Sequence, residues 1–151
     1  LYAPEEMCSY KDTADFFWVT DHGTRGRIDM VVYSFPYVSG RTFTLDYLVA
    51  MRDSVLGEHI QGAFPGSYMT TEKRFTPSYE AISKNGEYCG VVRGLWEMEG
   101  DMMGGPFVSH AHLDEKNQRV VVTETFVYAP NTKKAKLLRR GEASLYTFCM
   151  D

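Results

Sequence analysis

The spacing of apolar residues changes several times along the chain, and each change marks a predicted element. Asp15–Asp21 (Asp-Phe-Phe-Trp-Val-Thr-Asp) and Arg27–Tyr37 are β-rich runs, separated by His22, Gly23, Thr24, Arg25 and Gly26. Two such runs joined by a short Gly-containing loop predict a hairpin. In the second run Ile28, Met30, Val32 and Ser34 share one face, and Asp29, Val31, Tyr33 and Phe35 the other. Both faces are largely apolar, so this strand is expected to be covered on both sides. From Thr44 to Ile60 the apolar positions Leu45, Leu48, Val49, Val55, Leu56 and Ile60 recur with a period of about 3.6, the mark of a helix. Thr44 can cap it and Asp46 complements its dipole, while Gly57, Gly62, Pro65 and Gly66 end it.

A second β-rich region follows, with runs at Ser67–Phe75, Tyr79–Ser83, Glu87–Glu99, Pro106–Asp114 and Arg119–Tyr128. Turn residues punctuate it at Thr76-Pro77, Lys84-Asn85-Gly86, Gly104-Gly105-Pro106 and Asp114-Glu115-Lys116-Asn117, as in an antiparallel meander. Thr132 to Met150 then reads as a second helix, with Ala135, Leu138, Leu145 and Phe148 on its apolar side. No βαβ alternation occurs, so the expected fold is α+β: a mainly antiparallel sheet of roughly six strands, ordered ββαββββα, with two helices packed on it.

Composition narrows the function classes. Of 151 residues 44% are hydrophobic and 14% aromatic, enough to build a core. The net charge of −4 gives no general attraction for a polyanion, so nucleic acid is not an expected partner. The longest uncharged runs, Met30–Gly40 and Ile60–Thr71, fall short of the ~20 apolar residues that span a bilayer. The chain starts at Leu1 without the features of a secretory signal, and an upstream segment is expected to have been removed. Cys8, Cys89 and Cys149 are odd in number and lack metal-type spacing, which argues against a disulfide framework and leaves either small buried thiols or one bridge with one free thiol.

The segment from Arg93 to Asp114 is the most distinctive. Gly94, Trp96 and Met98 would face one way, and Arg93, Leu95, Glu97 and Glu99 the other; Val108, His110, His112 and Asp114 share a face of the next strand. If Gly104-Gly105 turns a hairpin, Glu97 and Glu99 could meet His110 and His112 and offer N/O ligands to zinc or another divalent ion. The competing reading is a solvated sheet face with cross-strand charge pairs. Gly94, Gly100, Gly104 and Gly105 match no phosphate-cradling motif and point to bulges or close backbone approach beside Trp96. Met98, Met102 and Met103 read as core filling or an adaptable groove. Ser109 and His110 point to opposite faces, which disfavours a nucleophile pair, and Glu97, Glu99 and Asp101 make a carboxylate pairing no more specific than any acidic strand does. Lys133, Lys134, Lys136, Arg139 and Arg140 crowd the start of the last helix, either as a solvated face or toward an anionic partner.

The stretch Val92 to His110, with its core Gly100-Asp101-Met102-Met103-Gly104-Gly105-Pro106-Phe107-Val108-Ser109-His110, resembles an uncharacterised family of Bacteroidetes lipoproteins that carries only a domain-of-unknown-function label. Phe126–Pro130, Glu142–Thr147, Phe43–Leu48 and Arg52–Val55 extend the resemblance over most of the chain. It implies the carboxy-terminal part of a longer protein, held in the cell envelope by a lipidated cysteine upstream of Leu1, and it supplies no reaction. The element order is also similar to the PsbP-like fold, found mainly in non-enzymatic accessory proteins. The resulting expectation is a non-catalytic interaction domain of the envelope with a protein or small-molecule partner and no cofactor. Its binding surface would comprise Trp96, Glu97, Glu99, Asp101, Met102, Phe107 and His110. The alternative is a divalent-metal-dependent hydrolase using His110, His112, Glu97 and Glu99.

Overall fold

The computed structural model describes residues 1–23 and 25–151. The strands are β1 (Ser9–Thr13), β2 (Phe16–Thr20), β3 (Arg27–Pro36), β4 (Tyr68–Thr71), β5 (Ser78–Lys84), β6 (Glu87–Glu99), β7 (Gly104–Asp114) and β8 (Arg119–Tyr128). A 3-10 turn at Gly40–Phe43 leads into α1 (Leu45–His59), and α2 (Ala135–Leu145) follows β8. The strands form one antiparallel sheet in the order β1-β2-β3-β8-β7-β6-β4, with β5 also on β6. The α+β fold expected from the apolar pattern is therefore the observed one. Thr24, in the β2–β3 connection, lies outside the described residues. Among the described residues no helix is long and apolar enough to cross a membrane.

Among the described residues the sheet has eight strands instead of about six. The strand absent from the apolar pattern is β1, Ser-Tyr-Lys-Asp-Thr, which is exposed along nearly all its length and has no buried face to write an alternation. β4 stops at Thr71, short of the expected Phe75. Beyond it the chain loops away, with Glu72 N–H still donating to Leu95 O, and returns as β5 to serve the other half of the long β6.

The two helices cover opposite faces. On one face Val31, Tyr33, Phe35, Val92, Trp96, Phe107, Val122 and Phe126 pack against Leu48 and Leu56 of α1. α1 begins as its sequence implies, with the Thr44 hydroxyl accepting from Tyr47 N–H, but it runs through Gly57, one of the residues expected to end it, to a C-cap at Ile60. On the other face Met30, Cys89, Val91 and Val108 pack against Leu145 and Leu138 of α2. α2 sits very close here, because a Cβ at Gly141 would lie 2.1 Å from Thr125 Oγ1. β3, between the layers, is buried on both sides, as its two apolar faces require.

α2 is shorter than the Thr132–Met150 helix its periodicity predicts. It ends at Leu145, where Lys84 Nζ donates to Leu145 O (2.8 Å), a carbonyl that a longer helix would have bonded internally, and to Phe148 O (3.0 Å). The following residues turn across the sheet, which lets Tyr146 and Phe148 reach the β7 histidines.

Candidate functional site

The β6–β7 ladder decides which of the expected residues meet. Its turn falls at Gly100–Met103, with Gly100 at φ 81° and Asp101 N–H donating to Met98 O. Gly104 and Gly105 belong to the strand instead. Gly105 is there for close approach, since a Cβ would lie 2.0 Å from Val127 O and 3.1 Å from Trp96 Nε1. In this register Glu97 stands opposite Gly104, while Val91 stands opposite His110 and Cys89 opposite His112. Glu97 is thus six positions along the strand from Val91, a separation of about 20 Å at strand rise. Glu97 and Glu99 do not join His110 and His112.

Cys89 joins them. The ligand atoms of Cys89, His110 and His112 all lie within 4.8 Å of one another, and all three residues are buried. Tyr146 stands edge-on to His110 and Phe148 tilts against His112, each with ring centroids 5.0 Å apart. Both ring nitrogens of His110, together with Nε2 of His112 and Oγ1 of the neighbouring Thr123, are buried without a hydrogen-bond partner among the described residues. Leaving one buried polar group unpaired costs about 1–3 kcal/mol. Burial, with a smaller push from the Lys84 ammonium, lowers both imidazole pKa values to about 4, so both rings are neutral with lone pairs to give. Burial raises the Cys89 thiol to about 11. Two imidazoles and a thiol, with no carboxylate, suit zinc or copper and not magnesium or calcium. A tetrahedral zinc with bonds of about 2.0–2.3 Å needs donors roughly 3.5 Å apart, so a contraction of about 1 Å closes the set.

The expected binding surface divides into core and rim. Trp96 is only 1% exposed, donates from Nε1 to Val127 O and packs edge-on to Phe126. Phe107 lies under the Arg52 guanidinium at 3.9 Å, and His110 is fully buried. These three are interior residues because the even positions of β6 and odd positions of β7 face α1, while His110 faces α2. Glu97, Glu99, Asp101 and Met102 do reach the outside, with Met102 99% exposed. Glu97, Asp101 and Met102, but not Glu99, border an open cavity of about 500 Å³ that Phe75, Leu95, Met103 and Pro106 also line. On its rim Arg74 hydrogen-bonds Glu72 and pulls that carboxyl down to about 2, while its Glu72 neighbour pushes Glu97 up.

The α1 side holds a second buried polar cluster that the sequence reading did not single out. Glu124, at the centre of the sheet, accepts from Arg52 Nε (2.9 and 3.0 Å) and Nη2 (2.7 Å), and Arg52 Nη1 donates to Thr71 Oγ1 (3.0 Å). Thr71 is held in turn by Asp53. Among the described residues, no buried side-chain atom of Arg52, Glu124, Thr71 or Asp53 is left unpaired, in contrast to the histidine face.

Sheet, helices and donor cluster together define an α+β domain with a buried two-histidine, one-cysteine set. The chain belongs to the family described as Domain of unknown function (DUF4837), whose model matches residues 1–147. No curated protein matches it.

Proposed function

We propose that this is a non-catalytic metal-binding domain of the cell envelope that holds one zinc or copper ion on Cys89, His110 and His112. The observation that carries the reading is the convergence of three buried ligand atoms within 4.8 Å, with ring nitrogens that no group among the described residues satisfies. A metal ion takes a lone pair from each ring and replaces the thiol proton, turning an unfavourable buried cluster into a bonded one. Burial supports holding over hydrolysis. A hydrolytic ion keeps an open position for water and substrate, whereas here Tyr146, Phe148 and the sheet enclose the donors, and Glu97 and Glu99 are too distant to act as general bases. The envelope location rests on the resemblance of Gly100–His110 and its companion segments to lipoproteins.

The test is elemental analysis and zinc or copper titration of the wild-type chain and Cys89→Ser, purified without chelator. Cysteine to serine preserves volume, so the variant stays folded. The expected result is one ion per chain in the wild type and at least a tenfold weaker site in the variant, as loss of a ligand gives. A wild type that takes up neither ion would overturn the reading.

A further inference from the structure

The donors are buried, so an ion needs a way in, and the C-terminal residues after α2 supply one. A cavity of about 200 Å³ is lined by His112, Lys84, Glu87, Phe148, Cys149 and Met150, and it is where His112 meets solvent-accessible space. Phe148, Cys149 and Met150 also wall a second cavity of about 460 Å³ on their other side. That larger cavity carries the carboxylates of Asp12, Asp15, Asp114 and Asp151 against a single guanidinium, Arg119, which is already bound to Asp114 at 2.8 Å. Val121 in its floor is the direct cross-strand partner of His112, so the two cavities lie side by side with Cys149 between them. Cys149 is exposed and unpaired, whereas Cys89 is fully buried.

Building on the metal-holding reading, we propose that Cys149 is the receiving ligand through which a cation, concentrated by the acidic cavity, passes to Cys89, His110 and His112. A concave surface lined by one sign of charge raises the local concentration of the opposite ion and its association rate. An exposed thiol at the boundary offers the same donor type as the buried one. In the first step the Cys149 thiol binds the ion and releases its proton to water. In the second the ion moves to Cys89, whose proton passes to the Cys149 thiolate, and the two imidazoles complete the set. One proton leaves per ion bound and Cys149 ends as a thiol again. Cys149 is not among the three residues whose ligand atoms converge, which fits passage and not permanent coordination. The Lys84 ammonium, tied to the Leu145 and Phe148 carbonyls, keeps its positive charge in this cavity, which it shares with the Glu87 carboxylate.

The experiment is stopped-flow uptake of Co²⁺ by the whole chain, alongside equilibrium titration, for wild type, Cys149→Ser, Asp12→Asn/Asp15→Asn and Cys89→Ser. Asp12 and Asp15 are exposed, so the double variant keeps the fold. The expected result is slower uptake by Cys149→Ser at every salt concentration, with unchanged affinity and final spectrum. Asp12→Asn/Asp15→Asn should be about tenfold slower at low ionic strength and match wild type at high salt. Uptake by Cys149→Ser at the wild-type rate overturns the proposal, and so does a lower equilibrium affinity, which would make Cys149 a permanent ligand. If the wild type binds and Cys89→Ser does not, either failure leaves the buried site standing. A wild type that binds no ion overturns both.

Discussion

Replacing Arg52 with Met removes the guanidinium but keeps an unbranched apolar stem over Phe107 and beside Met69. Glu124 is then left with no side-chain exposure and without its three contacts to Arg52, all 3.0 Å or shorter. Breaking a buried ion pair from one side costs about 3–5 kcal/mol, because the remaining charge has lost its partner and cannot recover its water. Against a total stability of about 5–15 kcal/mol, the variant should fold but melt at a much lower urea midpoint with an unchanged m value. Burial already raises the Glu124 pKa and Arg52 opposes that rise, so Arg52→Met raises it further. A folded pKa above the unfolded one destabilises the ionised form, so the loss should be greatest at neutral pH and shrink as pH falls and Glu124 takes a proton. The double variant Arg52→Met/Glu124→Leu, lacking both charges, should recover most of the loss or exceed the wild type by about 1–4 kcal/mol. Urea titrations of the four proteins in the double-mutant cycle give the coupling directly. A loss below about 1 kcal/mol for Arg52→Met, or additive costs in the double variant, would refute the claim that the pair is desolvated and interdependent.

Three further outcomes follow from the same geometry. Held metal-free by chelator, the protein should be destabilised between pH 6.5 and about 4: the depressed imidazole pKa values mean stability is complete above 6.5 and lost as pH falls, by about 3 kcal/mol per ring at most, checked by urea midpoints across that range. Trp96→Ala should cost about 3–5 kcal/mol and Met102→Lys less than about 0.5 kcal/mol, a contrast in thermal melting that equal effects would contradict. Gly141→Ala should cost about 1–3 kcal/mol despite better helix propensity, because the new Cβ would meet Thr125 Oγ1; a stabilised variant would mean α2 can shift outward freely.

The elements were legible where burial wrote a period. α1 could be read from Leu48 and Leu56 with its Thr44 cap, and β3 from its two apolar faces. β1 was not, because an exposed edge strand has no apolar alternation to read. The end of α2 was not, because it is set by Lys84, a residue on β5. The same limit applies to the site. His110 and His112 stand two apart on one strand face and could be paired from sequence, but their partner depended on the β6–β7 register. Placing the turn at Gly104-Gly105 brought Glu97 and Glu99 toward them, whereas the actual turn at Gly100–Met103 brings Cys89. Cys89 read only as a small core thiol, and it is one by burial, whereas Cys8 and Cys149, read the same way, are exposed free thiols. Trp96 and Phe107, expected on the binding surface, lie in the interior, while the close backbone approach beside Trp96 that the glycines implied is present at Gly104 and Gly105.

The two polar clusters inside this sheet call for different explanations. Arg52 and Glu124 are as deeply buried as His110, yet the pair is closed: Arg52 spends its donors on Glu124 and Thr71, and Thr71 is anchored by Asp53. A closed buried pair can be replaced by apolar residues of similar volume with little loss, so its role is to fix where α1 sits, and it asks for no ligand. The histidine face is open in the opposite sense. Its rings have aromatic neighbours and no acceptor or donor for three of their nitrogens, while apolar side chains would fill the same volume without that penalty. Stability alone gives no reason for two imidazoles and a thiol to converge there, but a bound metal ion does, which is why the functional reading belongs to the α2 side of the sheet.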